Sequence, residues 1–131
     1  MKLVSLKWKD ESFFDGWSLV HCLWGVILGV ALYFGNFSPM ESLWLAIALM
    51  VAWEALEKAV GIGEYWPNVL SDILVGVLGF VIGFAYLTRF PDQLTLLFWS
   101  AVLFMIILEF LGWRAFIKRG HHKKFKFGRR S

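Results

Sequence analysis

Residues 46–60 read AIALMVAWEALEKAV and put two glutamates, Glu54 and Glu57, at the end of an apolar run that starts near Pro39. At ~1.5 Å of rise per residue, the run from Pro39 to Ala59 is long enough to cross a hydrocarbon core of ~30 Å. A carboxylate inside lipid is costly, and those that persist there face the bundle interior, a wet cavity or one another. Other segments of the chain must therefore meet Glu54 and Glu57.

Three more apolar segments can do so. They run from Trp17 to Phe34, from Pro67 to Leu87 and from Pro91 to Trp113. The punctuation supports these bounds. Ser38-Pro39-Met40-Glu41 sets an N-cap, a first-turn proline and a capping-box glutamate in order. Asp15 is the expected N-cap of the first helix, and Pro67 and Pro91 stand where the third and fourth should begin. The expected fold is all-α: a four-transmembrane-helix bundle over 17–113, after an N-terminal segment 1–16 and before a basic tail 114–131. A shift of 52 positions lays Pro39 on Pro91 and Glu57 on Glu109, and a shift of 51 lays His21 on Asp72 and Gly25 on Gly76. Two tandem helical hairpins are the organisation this pattern predicts.

Composition agrees. Of the 131 residues 59% are hydrophobic and eight are Trp, and the mean hydropathy is +0.64. A soluble domain of this size needs more polar surface than that, and Trp favours the water–lipid interface. The single cysteine, Cys22, excludes an internal disulfide. Residues 1–16 lack a long apolar core and a small-residue cleavage site, so insertion is expected to start with the first helix.

Charge is unevenly placed. Residues 114–131, RAFIKRGHHKKFKFGRRS, contain eight Lys/Arg and no acid. The connections after the first and third helices hold only Arg89, whereas Lys2, Lys7, Lys9, Lys58 and the tail share the other side. The positive-inside rule then predicts an inner-membrane protein with both termini cytoplasmic. The tail reads as an anchor on anionic headgroups, worth roughly 1 kcal/mol per basic residue, rather than as a nucleic-acid surface. The apolar exterior suits lipid, a homo-oligomer or a membrane partner equally.

With this threading His21, Glu54, Glu57, Asp72 and Glu109, with the polar Asn68, share one depth near the cytoplasmic face. Spacing adds direction, because residues four apart share a helix face. His21, Gly25 and Gly29 form one stripe; Asn68, Asp72, Gly76, Gly79 and Gly83 form another. Glycines so spaced let helices approach closely in lipid, so the first and third helices should pack through them. Their polar ends then frame a cup. Carboxylates plus an imidazole suit a divalent cation, with His21, Glu54, Glu57 and Asp72 as expected metal ligands and Asn68 and Glu109 behind them. The same groups suit a proton relay. The Glu-x-x-His pair of di-metal bundles is absent, as are Cys-x-x-Cys, Gly-x-Ser-x-Gly and phosphate-loop motifs. GIGEYW at 61–66 reads as an interfacial loop, and His121-His122 as a solvated pair in the tail.

The stretches DGWSLVHCLWGVILG, WEALEKAV and NVLSDILVGVLGFVIG resemble the VanZ-like and YjdF-like small bacterial membrane proteins. The resemblance covers roughly residues 15–84 and falls on Asp15, His21, Glu54, Glu57, Asp72, Gly76 and Gly79. Gly76 stands where that pattern often has Asn, and Glu57 where it has Gln. The resemblance implies a short helical bundle associated with envelope glycopeptide or lipid processes. The function expected is divalent-cation-dependent action on a lipid-linked or envelope substrate; the alternatives are a proton- or cation-coupled carrier or channel and a non-catalytic membrane subunit.

Overall fold

The computed structural model describes the backbone of residues 2–4, 12–60 and 66–127 and the side chains of 14–60 and 66–118. Residues 61–65 of the expected interfacial loop lie outside it. Four helices are long and apolar enough to cross a membrane. They are α1 (Gly16–Phe34), α2 (Pro39–Ala59), α3 (Trp66–Arg89) and α4 (Leu94–Phe127), the last preceded by a 3-10 turn at Pro91–Gln93. Two three-residue strands, β1 (Lys2–Val4) and β2 (Ser12–Phe14), pair in parallel before α1. This small ladder leaves the class all-α.

The helix starts are fixed by local chemistry. Asp15 accepts from the backbone N–H groups of Trp17 (2.8 Å) and Ser18 (3.3 Å), which α1 cannot satisfy internally. The Ser18 hydroxyl accepts in turn from Asp15 N–H at 3.3 Å. Ser38 and Glu41 close the reciprocal box on α2: Ser38 N–H donates to Glu41 Oε2 at 2.9 Å and Glu41 N–H to Ser38 Oγ at 3.3 Å. Between α1 and α2 the chain turns through Asn36, whose φ of 56° is in the left-handed region that Asn tolerates better than most side chains.

Direction follows from the contacts. Ser18 and His21 on α1 meet Asp72 on α3, while Gly29 meets Phe80 and Phe84. Both helices therefore advance together and are parallel. Glu54 of α2 meets His21, while Met50 meets Gly76 and Ala46 joins Phe80 and Phe84, so α2 runs antiparallel to them. The three helices stack in layers, each stepping four residues at a time. One layer is His21, Glu54 and Asp72. Next come Gly25, Met50 and Gly76, then Gly29, Ala46 and Phe80. The far end is mostly apolar, built from Leu32, Tyr33, Leu43 and Phe84 beside the buried Ser42, with the Tyr33 ring edge-on to Phe84 at 5.8 Å.

The α1–α3 seam is a backbone contact. A Cβ on Gly25 would overlap the carbonyl oxygen of Gly76, and one on Gly79 the carbonyl oxygen of Cys22. Gly29 and Gly83 are slightly looser, with added Cβ atoms 2.9 Å from Phe80 O and 3.0 Å from Val26 O. Only glycine permits this approach, and in lipid such close packing is the main attraction between helices.

α4 differs from the sequence expectation. Its helix does not stop at Trp113 but continues through Phe127, so most of the segment read as a separate tail is helical. Nothing between Arg114 and Phe127 breaks it: there is no proline, and Gly120 is the one glycine. α4 lies against α1 and is otherwise open. Its covered residues, among those described, are the small Ala101 and Gly112, which recur on one face.

Candidate functional site

The polar layer is a meeting of three helices. His21 Nδ1 lies 3.6 Å from Glu54 Oε1, and His21 Nε2 lies 3.8 Å from Asp72 Oδ2. One ligand atom from each of the three residues falls within 4.8 Å of the others, and all three side chains are buried. His21 comes from the second turn of α1, Glu54 from the penultimate turn of α2 and Asp72 from the second turn of α3. Antiparallel threading brings these distant positions to one depth.

Asp72 is fully buried and held on both oxygens. The Ser18 hydroxyl donates to Oδ1 at 2.6 Å, and Asn68 Nδ2 donates to Oδ2 at 3.0 Å. The two donated bonds fix the plane of its carboxylate. Asn68 reaches Asp72 because four residues in a helix make one face. Ser18 sits one turn below His21 on the same stripe of α1, so α1 contributes both an imidazole and the hydroxyl that aims its neighbour. Asn68 Oδ1 and Ser71 Oγ are buried with no hydrogen-bond partner among the described residues.

The other expected site residues fall elsewhere. Glu57 is outside the three-residue group: it is half-buried, and its Oε1 accepts from Trp53 Nε1 at 2.9 Å. The i, i+4 spacing of Trp53 and Glu57 favours that pairing along α2. Glu109 is half-buried on α4 and likewise outside the group. Glu54 and Glu57 thus share a helix end, but only Glu54 lies in the group. Of the stripe residues, Gly25, Gly29, Gly79 and Gly83 line the α1–α3 seam, while Gly76 faces α2: a Cβ there would stand 2.6 Å from Met50 Sδ.

Sequence reasoning missed Met50, whose thioether fills the notch above Gly76. It also missed Trp24 and Trp53, which pair across α1 and α2 with ring centroids 6.3 Å apart. Both rings sit one step from the site, since Trp24 follows His21 by one turn and Trp53 precedes Glu54.

Chemically the layer offers one borderline nitrogen donor and two hard oxygen donors. That mixed set suits Zn2+ or Mn2+ better than the all-oxygen preference of Mg2+ or Ca2+. Tetrahedral ligation with ~2.1 Å bonds needs donors roughly 3.4 Å apart, so movements of about 1 Å close the group around an ion. Two carboxylates also match the charge of a dication.

Comparison with known protein families, with curated proteins and with solved structures returns no match. The VanZ-like resemblance of the short motifs thus has no counterpart over the chain as a whole.

Proposed function

We propose that this chain is a divalent-cation-dependent membrane protein in which His21, Glu54 and Asp72 hold the ion and a phosphate-bearing lipid or lipid-linked molecule is the substrate. The observation that carries this reading is the convergence of three buried donors from three helices within 4.8 Å. Ser18 and Asn68 support it, since metal-binding carboxylates are commonly oriented by such outer hydrogen bonds. Three protein donors leave a coordination position for water or substrate. Held by His21, Glu54 and Asp72, a dication would supply Lewis acidity and an attraction for phosphate oxygen in an otherwise acidic cup. The distribution of Lys and Arg supports a site opening toward the cytoplasm.

The test is metal content. Protein purified in detergent and equilibrated with low micromolar Zn2+ or Mn2+ is expected to retain about one ion per chain, consistent with a three-donor site. Glu54→Gln and Asp72→Asn should each lower retention at least tenfold, whereas Glu57→Gln should not. Equal retention in all four proteins, or none in the wild type, would overturn the reading.

One observation favours a second reading. The two nitrogens of His21 face different carboxylates, Glu54 and Asp72, as in a relay that passes a proton through an imidazole. In that case reconstituted liposomes would acidify at a rate that chelators leave unchanged and Glu54→Gln abolishes.

A further inference from the structure

Asn68 is fully buried, yet only one end of its amide is engaged. Nδ2 donates to Asp72 Oδ2 at 3.0 Å, while Oδ1 has no hydrogen-bond partner among the described residues. A buried carbonyl oxygen without a donor costs stability. Such an atom in a native fold marks strain, a bound water or an ion.

The position of the amide points to an ion. Asp72 Oδ2 is the carboxylate oxygen that faces the imidazole, 3.8 Å from His21 Nε2. The Asn68 amide therefore touches the edge of Asp72 that belongs to the three-residue group. Two ligands at right angles on one ion, each with a bond of ~2.1 Å, stand roughly 3.0 Å apart. The nearer amide atom of Asn68 already has that separation from Asp72 Oδ2. The two ends of an amide are alike in shape, and the torsion that exchanges them is soft. A half-turn about it puts the carbonyl oxygen where Nδ2 now stands, with no movement of α3. A cation on Asp72 Oδ2 drives that turn, because it repels the N–H dipole and attracts the carbonyl oxygen.

The donor is also of a fitting kind. Glu54 and Asp72 already match the charge of a dication, and an unbalanced charge inside the span is costly. An amide oxygen adds a donor and no charge. It changes the set from one nitrogen and two oxygens to one nitrogen and three oxygens. Oxygen-rich sets of more than four ligands suit Mn2+, whereas Zn2+ is satisfied by three protein donors and a water. We propose that Asn68 is a fourth ligand of this site, binding through Oδ1 after its amide turns, and that it tilts the site toward Mn2+ relative to Zn2+. The proposal rests on the three-donor reading above and adds to it a ligand and an ion preference.

The experiment titrates Mn2+ and Zn2+ separately into the full chain in detergent. Asn68→Leu should weaken Mn2+ retention on the order of tenfold and Zn2+ retention by about threefold or less, since the Ser18 bond still aims Asp72 and Zn2+ needs fewer ligands. Asn68→Asp keeps an oxygen donor but, when ionised, cannot donate to Asp72. It should hold Mn2+ within about threefold of wild type, a rescue expected of a ligand oxygen. A residue that only aims Asp72 from behind would make Asp as damaging as Leu, with both ions affected alike. Ser71→Ala removes the other unpartnered buried atom on this turn of α3 and should leave the Mn2+/Zn2+ ratio unchanged.

Infrared spectroscopy keeps the proposal testable if a buried extra carboxylate prevents folding. Asn36 and Asn68 are the only asparagines in the chain. Asn36 has a φ of 56°, which glycine adopts freely, so Asn36→Gly leaves Asn68 as the single site for asparagine carrying 13C in its side-chain carbonyl. Mn2+ should shift that carbonyl stretch to lower frequency. Ion uptake without a shift, or parallel losses of Mn2+ and Zn2+ in Asn68→Leu, would overturn the fourth ligand and leave the three-donor site standing. A wild type that takes up neither ion would overturn both.

Discussion

α3 and α2 both pack against α1 around one site, but by different means. α1 and α3 meet backbone to backbone, with glycines on each side and no side chain between them at Gly25 and Gly79. α2 joins that pair through a narrow stripe of Ser42, Ala46, Met50 and Glu54 and is exposed around most of its girth. Lipid tails supply no hydrophobic drive between helices, so the density of contact decides how firmly each pair is held. α1 and α3 form a rigid pair that carries His21 and Asp72. α2 is the adjustable arm that brings Glu54, seated by a flexible methionine.

The strongest test of this contrast is Gly79→Val. Its Cβ would overlap the Cys22 carbonyl, so the pair must separate, and a loss of roughly 3 kcal/mol or more is expected. Gly83→Ala meets Val26 at 3.0 Å and should cost clearly less, roughly 1 kcal/mol. Unfolding midpoints in a denaturing-detergent titration would rank them, and a Gly79→Val protein as stable as wild type would end the idea of a backbone seam.

A smaller effect is expected at Met50→Ala. The notch at Gly76 empties, α2 loosens, and stability falls by roughly 1–2 kcal/mol, less than in a soluble core because lipid fills part of the gap. Ion retention should weaken with it while α1–α3 pairing persists. Crosslinking between cysteines placed on α1 and α3 would show whether the pair survives. The smallest effect belongs to α4. Leu103 is 58% exposed, and Leu103→Ala should change the midpoint by no more than about 0.5 kcal/mol. A loss as large as that of Met50→Ala would mean that protein rather than lipid covers this face.

Much of this was legible in the sequence because it is local. Asp15 and Ser38 announce helix starts through hydrogen bonds made within three residues, and Pro39 through its fixed φ at the first helical position. The spacing of His21, Gly25 and Gly29 and of Asn68, Asp72 and Gly76 follows from helical period alone. Rotation of α2 about its own axis was not legible. Glu54 and Glu57 lie only 60° apart on a helical wheel, and which one enters the layer depends on where Met50 docks and on the Trp53 bond that draws Glu57 aside. The end of α4 was missed for a different reason. A run of Lys, Arg and His looks like solvated tail by composition, yet these residues are good or neutral helix formers and extend a helix already nucleated.

The parallel pairing of α1 with α3 has a consequence for biosynthesis. The partners of the Ser18–Asp72 bond are 54 residues apart, with all of α2 between them. At ribosomal rates of ~5–20 residues per second, α1 waits about 3–10 s in the bilayer before its mate emerges. During that interval Ser18 and His21 must be shielded by the insertion machinery or by water at the interface. A nascent chain paused after α2 should therefore be the species most exposed to quality control.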